Sequence, residues 1–177
     1  MNPKEQIRYP IGRFKVPKQY TAELHDSLIS ELEEAPFHLR NAVGNLDDEQ
    51  LNTPYREGGW TLEQVVHHLP DSHMNGYIRT KLALTENEPI IKPYSEDAWA
   101  KLEDYITTPI ETSLKLFEAV HNRWVIILRT LTPGQFERKL HHPEIGVIDI
   151  NWILAEYAWH GKHHTAQINS LKQRMGW

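Results

Sequence analysis

Residues 150–175 read INWILAEYAWHGKHHTAQINSLKQRM, and the spacing of their apolar positions decides the fold class. Ile150, Leu154, Tyr157, Gly161, His164, Ile168, Leu171 and Met175 follow alternating steps of three and four, the stripe that an amphipathic helix turns toward its neighbours. Asp149 stands where a side-chain oxygen caps a helix start, and Gly176 where a left-handed residue ends one. His164 therefore occupies a core position. His160 lies one turn earlier, about 40° round the helix at roughly 100° per residue, so both imidazoles can face one point. Taken alone, the pair has two readings: core histidines hydrogen-bonded to backbone or to each other, or two ligands of a metal ion.

A third histidine favours the metal. In Trp60-Thr61-Leu62-Glu63-Gln64-Val65-Val66-His67-His68-Leu69, Thr61 and Gln64 form a capping box and Trp60 with Val65 a hydrophobic staple, so a helix starts at Leu62. Measured from the apolar direction set by Leu62, Val65, Val66 and Leu69, His68 projects about 110° away and His67 about 150°, close to the solvent side. His68 is the better ligand of the two, and His67 a surface or supporting residue. His73 projects nearer the apolar centre than either, as a buried structural histidine or a reserve ligand.

Composition narrows the chemistry. A chain of 177 residues has the length of one domain, large enough for a core without disulfides or a structural metal. A bound metal then serves chemistry. Cysteine is absent while histidine numbers eleven, which removes thiolate zinc sites, a cysteine nucleophile and disulfides and leaves imidazole as the available ligand. A net charge of −5 without any run of Lys or Arg argues against a nucleic-acid partner, because phosphate binding needs clustered cations. The longest apolar run, Trp124 to Leu128, is too short to span a bilayer, and Met1-Asn2-Pro3-Lys4-Glu5-Gln6 has no apolar signal core behind it. No membrane partner is indicated, and the cytoplasm is the default location.

Along the chain, residues 1–19 carry Pro3, Pro10 and Pro17 and read as an extended arm. Residues 20–43 read as a helix with Pro36 forcing a kink or restart near its middle. The helix from Leu62 to about Leu84 should bend at Pro70. A long connection follows, with a short helix over Glu96 to Tyr105. Thr108-Pro109-Ile110-Glu111 combines a cap, Pro at the first helical position and Glu behind it, so a third long helix runs from there to about Leu131. Arg138 to Asp149 reads as a hairpin-like excursion turning at Pro143 to Gly146. The expectation is an all-α four-helix bundle with one long crossover, its second and third helices parallel, and the metal at one end of the core. A carboxylate-bridged di-iron bundle would need two Glu-x-x-His motifs, and only Glu118-Ala119-Val120-His121 fits.

Several longer motifs carry a family resemblance: Tyr9-Pro10-Ile11-Gly12, Thr53-Pro54-Tyr55-Arg56-Glu57-Gly58-Gly59-Trp60-Thr61, Val65-Val66-His67-His68-Leu69, Asp71-Ser72-His73-Met74-Asn75, Tyr77-Ile78-Arg79, Arg123-Trp124, Trp159-His160 with His163-His164, and Arg174-Met175-Gly176-Trp177. Over nearly its whole length the chain resembles the DinB/YfiT-like superfamily, and within it the YfiT group, described as metal-dependent hydrolases and linked to bacillithiol S-transferase activity. The resemblance implies an up-down-down-up bundle, a homodimer, and one divalent ion per chain, zinc first and nickel second. It also places the family's three metal-binding histidines on His68, His160 and His164. Pro70 stands where relatives keep a helix former, and Gly161-Lys162 replaces a more histidine-rich pair, placing a mobile cation near the site mouth.

Three imidazoles leave a coordination position for water, as in a hydrolase, or for a low-molecular-weight thiol, as in an S-transferase; the substrate in either case is a small molecule. A non-enzymatic, metal-stabilised binding or stress-response protein is the third reading. Asp71 and Glu156 lie one turn from His68 and His160 and are placed to orient their rings.

Overall fold

The computed structural model describes residues 2–177. In chain order the elements are α1 (Pro3–Arg8), α2 (Ala22–Val43), α3 (Asp48–Leu51), α4 (Leu62–Thr85), α5 (Glu96–Trp99), α6 (Asp104–Thr107), α7 (Ile110–Arg129), α8 (Pro133–Phe136), β1 (Lys139–His142), β2 (Gly146–Asp149) and α9 (Ile150–Met175). Among the described residues no helix is long and apolar enough to cross a membrane.

The helix boundaries follow local chemistry. Thr61 Oγ1 accepts from the Gln64 amide at 3.1 Å, and Gln64 Oε1 accepts from the Thr61 amide at 3.0 Å, so two donors left unpaired at the start of α4 are satisfied reciprocally. Asp149 Oδ1 accepts from the Trp152 amide at 2.8 Å, and α9 ends at Gly176 with φ 74°. β1 and β2 pair antiparallel, Lys139 opposite Asp149 and His142 opposite Gly146, so the excursion is a true hairpin beside the bundle.

Three expectations are corrected. Residues 3–8 are helical rather than extended, with Asn2 Oδ1 accepting from the Lys4 amide and Pro3 in the first turn, where its missing N–H leaves nothing unpaired. Of that arm, Met1 lies outside the described residues. The third long helix starts at Ile110, because Pro109 has ψ 139° and is its cap. The crossover holds two short helices in place of one. α2 runs through Pro36 without a restart, and α4 is one helix through Pro70, each without the hydrogen bond that the proline cannot donate.

Two apolar clusters reveal the topology. One joins Leu28, Ile29 and Leu32 of α2, Ala83 of α4, Trp124, Val125 and Leu128 of α7, and Ile150, Ile153 and Leu154 of α9. The other joins Leu39 and Val43 of α2, Leu62, Val65 and Leu69 of α4, Leu114 and Phe117 of α7, and Ile168 and Leu171 of α9. The early part of α2 and α9 thus shares an end with the late part of α4 and α7. That is an up-down-down-up bundle in which α4 and α7 are parallel, and residues 86–109 carry the chain back from one end to the other. Round the bundle, α4 lies beside α7, α7 beside α2, α2 beside α9 and α9 beside α4.

Gly76 sets the closeness of three of these helices. A Cβ there would lie 2.6 Å from Trp124 of α7 and 2.6 Å from Tyr157 of α9, both in ring atoms held by the core. Gly76→Ala is expected to destabilise the protein by about 1–3 kcal/mol through overpacking, although alanine is the better helix former. Urea unfolding of the two proteins measures the difference.

Candidate metal centre

His68 of α4 and His160 and His164 of α9 converge. Each offers one ring nitrogen such that all three lie within 4.8 Å of one another, and the Nε2 atoms of His68 and His160 are 3.3 Å apart. His68 lies in the first third of α4, beside Val65 and Leu69 of the second apolar cluster, and His160 and His164 lie near the middle of α9. His68 is buried, and His160 is partly exposed. Burial, with each ring's neighbouring imidazoles, holds His68, His160 and His164 well below the ordinary histidine pKa, so all three are neutral and present lone pairs.

The far nitrogens of the three rings differ in their surroundings. His164 Nδ1 meets Gln167 Oε1 at 2.9 Å. The amide cannot be turned round, because Gln167 Nε2 donates at 2.8 Å to the Arg8 carbonyl, which only accepts. His164 must therefore donate from Nδ1, leaving the lone pair on Nε2. His160 Nδ1 meets His73 Nε2 at 3.2 Å, and His68 Nδ1 is buried without a hydrogen-bond partner, its ring covered edgewise by Trp60 at 4.8 Å.

Other expected neighbours lie elsewhere. His67 is buried, 3% exposed, with Nδ1 at 2.7 Å from Ser113 Oγ of α7. The solvent-side expectation fails because Tyr105 of the crossover packs over a face of α4 that a four-helix picture leaves open. Asp71 accepts from Tyr105 at 2.7 Å, so it orients no ligand ring. Glu156 is pushed up to about 7, chiefly by burial, and the ring nitrogen of His160 that it was expected to orient is bonded to His73 instead. Lys162 pairs with Glu31 of α2 at 2.7 Å, away from the site mouth. Glu118 is exposed beside Arg40, 3.9 Å away, whereas His121 is buried, so the Glu-x-x-His motif points in two directions. Gln167 is not singled out by the sequence, and His121 is considered there only within the Glu-x-x-His motif, although Leu114, Phe117, His121, Trp124 and Leu128 share steps of three and four that put His121 on the core stripe of α7.

The cluster forms the floor of a cavity of about 420 Å³, lined also by Arg8, Arg56, Trp60, Glu96, Asp97 and His163. That is a size suited to a small molecule. Three neutral imidazoles fit a divalent cation on several grounds. Nitrogens about 2.1 Å from an ion in tetrahedral geometry lie about 3.4 Å apart, close to the 3.3 Å between His68 and His160. Without a proton between them, or a cation, two lone pairs would face each other there. Among the described residues this is the one cluster of three potential ligands with such closeness.

The DinB superfamily model matches residues 31–168, a span that includes all three histidines. The chain belongs to the DinB superfamily. A protein of Oceanobacillus iheyensis named "Putative metal-dependent hydrolase OB0782" is 53% identical over 170 residues, covering 96% of this chain and 98% of its own. A Bacillus mycoides protein of the same description is 49% identical over 173 residues, 98% of this chain and 99% of its own. Among solved structures, YfiT from Bacillus subtilis, described as a probable metal-dependent hydrolase with an unusual four-helix bundle topology, superposes with a TM-score of 0.94 at 49% identity, over 97% of this chain and 99% of that one. TT2238, a four-helix bundle protein, gives 0.56 at 19% identity over 86% of this chain and 99% of its own, a likeness of fold alone. The parallel α4 and α7 give this DinB superfamily member a topology apart from the simple up-down-up-down bundle.

Proposed function

We propose that this protein is a hydrolase in which His68, His160 and His164 hold one divalent metal ion, zinc before nickel, that activates water against a small polar substrate. The observation that carries the reading is the convergence of three neutral imidazole nitrogens on one point at the floor of an open cavity. When bound, the ion supplies Lewis acidity and lowers the pKa of a water at the position the imidazoles leave open. The chain's own groups do the rest. Gln167 holds the proton of His164 on Nδ1, and Trp60 shields the His68 ring from water. Arg8 and Arg56 on the cavity wall are donors for an acidic substrate group, and Glu96 lines the same cavity with its carboxyl held above its ordinary value by desolvation. A homodimer in the cytoplasm remains the expected setting.

The same centre serves a second chemistry. A chain without cysteine would take its thiol from outside, which fits transfer of a low-molecular-weight thiol such as bacillithiol to an electrophile. Untagged protein is expected to carry one zinc or nickel per chain by elemental analysis. It should hydrolyse members of an ester and amide panel, with activity lost on chelation and restored by the ion. Conjugation of bacillithiol to a small electrophile, with no hydrolysis, would favour transfer. Failure of the metal-loaded protein in both assays, together with loss of helical circular dichroism on chelation, would leave the metal a structural role only.

A further inference from the structure

We propose that His121 and His73 are positioning residues that hold His160 in the one neutral tautomer able to bind a metal through Nε2, with the Leu32 carbonyl as the fixed end of the chain. The consequence for metal affinity rests on the metal reading above; the tautomer assignment does not.

The relay crosses all four long helices. His121 Nδ1 of α7 bonds to the Leu32 carbonyl of α2, His121 Nε2 lies 2.9 Å from His73 Nδ1 of α4, and His73 Nε2 lies 3.2 Å from His160 Nδ1 of α9. Leu32 is free to accept because the residue four positions on is Pro36, which has no N–H to return to it. A carbonyl cannot donate, so the direction of every bond follows. His121 must donate from Nδ1, which leaves its Nε2 as an acceptor when neutral. His73 then donates from Nδ1 and accepts at Nε2, and His160 donates from Nδ1. The lone pair of His160 is left on Nε2, the atom that faces His68 at 3.3 Å. An extra proton on the chain is disfavoured by burial: His73 is 0% and His121 1% exposed, wedged among Phe117, Trp124 and Tyr157. A donated Nδ1–H also makes a ligand imidazole more basic and fixes its ring orientation.

Metal-free protein labelled with 15N-histidine tests the assignment by long-range proton–nitrogen correlation spectra. His121, His73 and His160 are each expected to show protonated Nδ1 and bare Nε2. In His121→Phe, His160 is expected to lose this single tautomer, and zinc affinity, measured by competition with a chromophoric chelator, to fall about 10- to 100-fold. His121→Gln, whose amide can both donate and accept, should recover most of the affinity. Protonated Nε2 on His160 in the native protein overturns the proposal, as does a folded His121→Phe with unchanged tautomer and zinc affinity. If His121→Phe does not fold, the native spectrum decides. Native protein with the expected tautomers that binds neither zinc nor nickel would sink the metal reading and leave the relay standing.

Discussion

His164→Ala is expected to lose the bound metal and to reduce turnover by roughly a thousandfold, the equivalent of the several kcal/mol of charge stabilisation that a catalytic ion supplies. His68→Ala and His160→Ala should behave alike, because two imidazoles cannot define the site that three converge upon. Elemental analysis and turnover read the two losses, and circular dichroism should show the bundle retained, since both apolar clusters lie outside the substituted side chains. Two variants serve as controls. His67→Ala keeps the metal, because that ring is spent on Ser113, and Glu118→Ala keeps metal and activity, because Glu118 lies on the surface beside Arg40. Unchanged metal stoichiometry in His164→Ala would defeat the ligand assignment, and activity lost in Glu118→Ala would revive the carboxylate bundle.

The second large effect is acid sensitivity of the metal-free protein. His121 is pushed down to about 4 by burial, and His163 also to about 4, while His68, His73, His160 and His164 are held well below their ordinary value. Above pH 6.5 these rings are neutral whether the chain is folded or not, and they contribute nothing to the pH dependence. As pH falls from 6.5 toward 4, the unfolded chain takes up protons that the folded one refuses, so stability is lost. For His121 alone the shift corresponds to about 2 kcal/mol lost by pH 5 and about 3 kcal/mol in full. Glu156 runs the other way: raised to about 7, it binds a proton in the folded state first and offsets about one histidine over the same range. The histidines outnumber it. Set against a total stability of roughly 5–15 kcal/mol, the net loss should unfold the protein cooperatively in mildly acidic solution. Urea titrations at pH 7 and pH 5 measure the loss, and equal stability at the two values would contradict the buried neutral state of the rings.

Much of the architecture is legible along the chain because it rests on contacts between near neighbours. The Thr61–Gln64 capping box, the Asp149 cap, Gly176 at the end of α9 and the turn between β1 and β2 each involve residues a few positions apart, and each forms where its spacing predicts. The convergence of His160 and His164 is of the same kind, since one rigid helix carries both. His68 joined them from a different helix, and there periodicity alone was thin: its projection lay outside the apolar face, and the family motif carried the assignment.

What the tertiary structure alone decided is which side of each ring is spoken for. A helical wheel assigns one buried direction, but α4 is packed by α7, by α9 and by the crossover, so His67 is buried against Ser113 of α7, His68 against His160 of α9, and His73 between His160 and His121 of α7. Pro36 reads along the chain as a helix breaker, yet α2 passes through it unbroken, and the carbonyl it leaves free is taken by His121, 89 residues away in sequence. Hydrogen bonds across a bundle depend on the register of helices against one another. That register is set by the summed packing of two apolar clusters, Gly76 against Trp124 and Tyr157 included, and no local pattern of residues encodes it.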